Sequence, residues 1–174
     1  MPKGGTMTTT SSTLTSPMSS TTLRTGHVGV NVTDLDRSLA FYRDVIGFEV
    51  LAEGKADGAE GVAAGSRFAY LGRDGALTLT LWQQAADAYD GGRAGLHHLA
   101  FEADTIDEVR AYERELRAHG VEFAYDGVVP HGEGAASGGI FFHDPDGTRL
   151  EIFARAGAET AKAPVESAPT CGFF

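Results

Sequence analysis

His27-Val28-Gly29-Val30-Asn31-Val32 and His98-Leu99-Ala100-Phe101-Glu102-Ala103 decide the fold, because one short alternating stretch headed by histidine occurs twice, 71 positions apart. Each reads as a strand, and each is followed by a helix start. Thr33-Asp34 precedes Leu35, Leu39, Tyr42 and Ile46 at helical spacing, and Thr105 with Glu108 forms a capping box ahead of Ile106, Val109, Tyr112 and Leu116. Both helices are expected to stop at glycine, Gly47 and Gly120, where a left-handed cap costs little. A strand then follows each stop, Phe48 to Leu51 and Val121 to Tyr125.

The halves continue into matching hairpins. Phe68 to Leu71, Asp74-Gly75 and Leu77 to Trp82 form one. Gly139 to Phe142, Asp144-Pro145-Asp146-Gly147 and Arg149 to Phe153 form the other. Each half is a β-α-β-β-β unit of about 60 residues that cannot bury both faces of its sheet alone. The expected fold is therefore α+β, with two such modules, about 24–84 and 95–155, packed as one domain over residues 24–156 and joined through the Gly-rich stretch Gln83–Gly95.

Composition narrows the partners. The 174 residues carry 24 Asp+Glu against 14 Lys+Arg, a formal net charge of -10, which excludes binding driven by phosphate contacts and so nucleic acid. No apolar run approaches the roughly 20 residues that span a bilayer, so no membrane partner is expected. The single cysteine, Cys171, has no partner for an internal disulfide. A cytoplasmic protein with a small-molecule substrate fits these facts. The ends read as tails. Residues 1–23 form a Ser/Thr-rich leader expected to be disordered, residues 157–174 form a C-terminal tail, and the Ala/Pro/Glu-rich stretch Ala156–Thr170 is expected to be unstructured. The closing Cys171-Gly172-Phe173-Phe174 is unusual for such a tail.

If the repeats pair, His27, His98 and Glu151 stand at strand positions that face one cavity. His27 and His98 occupy the same place in their repeats. Alternation turns Glu151 away from its neighbours Leu150 and Ile152. An inward carboxylate is costly unless paired or bound to metal. Two imidazoles and one carboxylate are the donor set of mononuclear Fe(II) sites, and they leave coordination positions open for substrate or dioxygen. Fe(II) is the preferred ion, with Mn(II), Co(II), Ni(II) and Zn(II) as alternatives. His131 opens a Gly-rich loop, 132–139, and is the proton-transfer candidate. Trp82 and His143 are candidates for the pocket wall and its mouth. His97, next to His98, is expected to face the other side of the strand, and His119 to cap a helix end.

These motifs bring a family into view. His27 to Val32 with Asp36-Arg-Ser-Leu-Ala-Phe-Tyr-Arg-Asp-Val-Ile-Gly-Phe48, His98-Leu-Ala-Phe101, and Phe141-Phe-His-Asp-Pro-Asp-Gly-Thr-Arg-Leu-Glu-Ile152 resemble the vicinal oxygen chelate superfamily of glyoxalases, bleomycin-resistance proteins and extradiol dioxygenases. The resemblance implies paired βαβββ modules forming a cup-shaped mixed sheet around a divalent metal, with ligands where His27, His98 and Glu151 fall. The family's fourth position falls at Leu79 or Thr80. Neither ionises, which disfavours glyoxalase chemistry. Val129-Pro-His131, Ile140-Phe141 and Glu151 are similar to the extradiol dioxygenase signature, where the residue at His131 lines the substrate pocket and a tyrosine stands at Phe141. The spacing from His131 to Ile140 is one residue longer here. The implied function is a metal-dependent enzyme, an Fe(II) dioxygenase-like oxidoreductase acting on a small oxygenated or aromatic metabolite. A Mn(II)-type transferase or lyase, a glyoxalase-like isomerase, or a binding protein that sequesters an antibiotic without turnover are the alternatives. Modules of this family pair within one chain or across a homodimer, and the sequence leaves that choice open.

Overall fold

Eight strands and two helices follow the expected order in the computed structural model, which describes residues 24–57, 65–165 and 168–172. The Ser/Thr-rich leader and Phe173-Phe174 lie outside the described residues. The first module comprises β1 (Val28–Val32), α1 (Leu35–Leu39), β2 (Glu49–Ala56), β3 (Ser66–Arg73) and β4 (Ala76–Gln83). The second comprises β5 (Leu99–Glu102), α2 (Ile106–Ala118), β6 (Val129–Pro130), β7 (Gly138–His143) and β8 (Arg149–Ala154). Each makes a four-stranded mixed sheet, in the orders β1-β4-β3-β2 and β5-β8-β7-β6, with the first strand parallel to the last.

The local signals act as their chemistry requires. Asp34 Oδ1 accepts from the Arg37 amide to cap α1, and Thr105 and Glu108 complete a reciprocal capping box on α2. Gly47 and Gly120 follow their helices with φ of 84° and 75°. After Leu39 the first helix widens into a π-helical turn over Ala40–Val45, a departure from the regular helix its spacing predicts. Its bulge turns Phe41 and Tyr42 inward together, and both are buried.

One apolar core serves both modules. Val30, Val32, Leu71, Leu79 and Leu81 of the first sheet join Ile140, Phe142, Leu150 and Ile152 of the second, with Leu35, Val109 and Leu116 from the helices. Phe48 meets Phe101 edge-on at 5.4 Å, and the Tyr42 hydroxyl donates to buried Asp144 at 2.9 Å. Each sheet thus gives one face to the core and turns the other, which carries the candidate site residues, away from it. No helix among the described residues is long and apolar enough to cross a membrane.

Two expectations fail. Val121–Tyr125 is not a strand: Phe123 makes one isolated bridge to Phe142, and the partner of β7 is the two-residue β6. Aromatic packing replaces the ladder there. Phe123 lies on Phe142 at 5.8 Å, beneath the Arg117 guanidinium, and Tyr125 meets Phe141 at 5.6 Å. The described part of the C-terminal segment is not loose either. Ala158, Ala163 and Thr170 are buried, and Thr170–Gly172 forms a single 3-10 turn. Small side chains let its backbone lie directly on the second module, which a composition-based reading cannot see.

Candidate metal centre

Parallel pairing of β5 with β8 sets Ala100 opposite Glu151, so His98, two residues earlier, shares the outward face with that carboxylate. The Glu151 side chain is only 3% exposed, and both of its oxygens meet imidazoles. His98 Nε2 lies 3.5 Å from Oε2, and His131 Nε2 donates to Oε1 at 2.5 Å. Ser137 Oγ stands 2.9 Å from His131 Nδ1, so both ring nitrogens of His131 are engaged. Phe141 is paired with Glu151 across β7 and β8. The His131 ring lies 6.3 Å from Phe141 and 5.5 Å from Phe153. The carboxylate is thus held between imidazoles and aromatic walls, where polar interactions are strengthened by low dielectric.

His97 is exposed, as expected of a surface residue, but its ring turns toward His98 instead of away from it. Regular strand geometry begins only at Leu99, and His97 Nδ1 turns to within 2.9 Å of His98 Nδ1. One of these atoms donates to the other, so the tautomers of the two rings are coupled. Arg149 Nη1 approaches the far nitrogen of His97 at 3.4 Å. Burial pushes the His98 pKa down from 6.5. Glu151 opposes this, and His97, His131 and Arg149 reinforce it. A neutral imidazole is the form that binds metal.

The remaining candidates lie apart from this group. His27 is exposed just ahead of β1, and no group of three or more His, Cys, Asp or Glu among the described residues is arranged to hold a metal ion. One chain therefore assembles His98, His131 and Glu151 and does not gather His27 with them. Trp82 is half-buried on the first sheet, where its Nε1 donates to Thr80 Oγ1 at 3.0 Å and its ring lies 5.3 Å from Phe68. His143 ends β7 across from Arg149, on the outward side with Phe141. Burial and Arg149 lower its pKa. His119 closes α2 beside Glu115, as expected of a helix end.

Register also settles the fourth family position. Gly29 pairs with Thr80 as Ala100 pairs with Glu151, so Thr80, not Leu79, is the counterpart of the carboxylate. Two participants were not read from the sequence: His97, although the adjacent pair His97-His98 was a visible signal, and Ser137, hidden in a Gly-rich loop. Burial, then the Glu151 carboxylate, pushes the Cys171 thiol pKa up.

A cleft of about 620 Å³ runs between the modules along β5, past Phe48, Arg73, Phe101, Glu102 and Tyr112; His98, His131 and Glu151 do not line it. The chemistry of the donors, not this cleft, marks the site.

Comparison with known proteins agrees with the architecture. The family profile that matches residues 24–152 is that of the Glyoxalase/Bleomycin resistance protein/Dioxygenase superfamily. A trivalent organoarsenical cleaving enzyme of Bacillus sp. (strain MD1) is 29% identical over 131 residues, 75% of this chain and 73% of that protein. Catechol-2,3-dioxygenase of Bacillus subtilis (strain 168) is 30% identical over 132 residues, 74% of this chain but only 40% of that enzyme. The crystal structure of a glyoxylase/bleomycin resistance protein/dioxygenase domain from Frankia sp. EAN1pec superposes with a TM-score of 0.64 at 23% identity, covering 78% of this chain and 99% of that one.

Proposed function

Because the chain belongs to the Glyoxalase/Bleomycin resistance protein/Dioxygenase superfamily, we propose that it is a mononuclear metal-dependent enzyme, an Fe(II) dioxygenase-like oxidoreductase acting on a small metabolite with vicinal oxygens or an aromatic ring. One observation carries this: the buried Glu151 carboxylate presents its two oxygens to His98 and His131 on an outward sheet face. A carboxylate so buried is costly without cations or strong donors, and a neutral His98 suits a ligand. In this reading His98 and Glu151 supply two ligands of a divalent ion, and the described residues of one chain do not complete a set of three.

The third ligand in this proposal is His27 of the partner subunit in a homodimer. His27 is exposed and apart from this group, while β1 and β5, the strands that follow His27 and His98, each end their sheet with an edge that no other strand among the described residues pairs. Exposed edges are commonly covered by another chain. A bound divalent ion supplies a Lewis acid for adjacent substrate oxygens and, as Fe(II), reducing power for dioxygen.

The chain's own residues supply the rest. His97 orients the His98 ring. His131 holds a proton at Nε2, shared with Glu151 Oε1, and is placed to pass it to a substrate oxygen. Phe141 and Phe153 keep the carboxylate dry, and the aromatic group Phe68, Tyr70 and Trp82 offers a stacking wall on the first sheet. Thr80 adds no fourth carboxylate, which favours oxygen chemistry over isomerisation at this site.

The test is oxygen uptake by anaerobically Fe(II)-reconstituted protein, offered a panel of catechols and other vicinal diols. Uptake that requires Fe(II) and is lost in Glu151→Gln supports the proposal. Turnover without uptake assigns the site to transferase, lyase or isomerase chemistry instead. Binding of ligand by metal-free protein without turnover assigns it to sequestration.

A further inference from the structure

The loop that carries His131 has few restraints of its own. β6 contributes two residues, and one of them, Pro130, has no amide to donate to the ladder with Gly138. Within the loop, His131 N donates to Ser137 O at 3.0 Å and Ala135 N to Gly132 O at 3.0 Å.

The segment after β8 supplies what the ladder lacks. Ala158 N donates to Ala136 O at 2.9 Å, and Ala163 N to Glu133 Oε2 at 3.3 Å. Thr170 makes the two bonds nearest the histidine: its amide donates to the His131 carbonyl at 3.0 Å and its hydroxyl to the Pro130 carbonyl at 2.6 Å. Thr170 is fully buried, and the Tyr125 hydroxyl holds its carbonyl at 3.2 Å. Tyr125 in turn packs on Phe141, the residue across from Glu151. A buried hydroxyl at the end of a chain keeps its place only where such partners are met.

We propose that Thr170 is a positioning residue for His131. By fixing the carbonyls of two consecutive residues, Pro130 and His131, it holds the ring with Nε2 on Glu151 and Nδ1 on Ser137. The C-terminal segment is then part of the site and acts through the Thr170 amide and hydroxyl, not through its cysteine. This rests on the functional reading above only for the purpose His131 serves; the ring's placement is tested without it.

The test uses the full-length, metal-stripped protein. Diethyl pyrocarbonate modifies accessible imidazoles, and mass spectrometry follows His131 beside His119, an exposed reference on α2. Thr170→Val is expected to raise the His131 rate about tenfold, the effect of one lost buried hydrogen bond, with the His119 rate unchanged. Thr170→Ser keeps the hydroxyl and is expected to react as the wild type does. A His131 rate in Thr170→Val within twofold of wild type overturns the proposal. So does an equal rise at both histidines, which would mean general loosening. Failure of the wild-type protein to consume oxygen would count against the proposed function and leave the protection result standing.

Discussion

His131 Nε2 donates to Glu151 Oε1 across 2.5 Å, tying a loop residue to a carboxylate on β8. Ser137 engages the opposite ring nitrogen, so the imidazole cannot turn without breaking both contacts. Such a partner orients a ligating carboxylate, and its loss typically costs ten- to a hundredfold in metal affinity. His131→Ala is expected to weaken divalent-metal binding about tenfold, read by calorimetric titration of the metal-free protein.

His97 plays the matching part for His98. Its Nδ1 lies 2.9 Å from the His98 Nδ1, which couples the two tautomers and restrains the His98 ring. His97→Ala is expected to weaken metal binding about tenfold as well, whereas His119→Ala leaves it unchanged. Equal effects from both substitutions would remove His97 from the site.

The pH dependence of stability carries a defined sign. Burial lowers the His98 pKa below 6.5 in the folded chain, so on acidification the unfolded chain takes up this proton first. The group is neutral in both states at higher pH. Its stability contribution falls as pH drops through 6.5 toward the folded value. Between about pH 7.5 and 5.5 the urea midpoint of the metal-free wild type is expected to fall further than that of His98→Gln.

Asp146 ties the modules together. Its carboxylate accepts from Thr33 N at 3.1 Å and from Arg37 Nη2 at 2.5 Å. The Asp146 side chain is 4% exposed, while that of Arg37 is 49% exposed. Arg37 can reach water when freed, but the Thr33 amide is left without its acceptor. Asp146→Ala is expected to cost about 2 kcal/mol in urea unfolding.

The caps and the hairpins were legible because each rests on contacts within a few residues, and the repeat because its pattern recurs 71 positions on. The inward turn of Glu151 was legible through alternation along β8, and the repeat placed His98 beside it, where its Nε2 lies 3.5 Å from Glu151 Oε2. The π-helical turn at Ala40–Val45 was not, since it follows from how Phe41 and Tyr42 meet the second module. Nor was His97, because it precedes regular strand geometry and alternation does not apply to it. The failed strand at Val121–Tyr125 has β-forming residues, but their aromatic rings are satisfied by packing on β7 instead of by a ladder. Thr170 was least legible of all: its neighbours Ala168, Pro169, Cys171 and Gly172 carry no periodic pattern, and its partners lie 39 and 40 residues away.

The central claim is that this chain holds a divalent metal through His98 and Glu151. Iron content and affinity after anaerobic Fe(II) reconstitution, with wild type beside His98→Ala, test it most directly. About one ion per chain is expected in the wild type, with affinity at least about a hundredfold weaker in the variant. Wild-type protein without bound metal, or equal affinity in the two proteins, would contradict it.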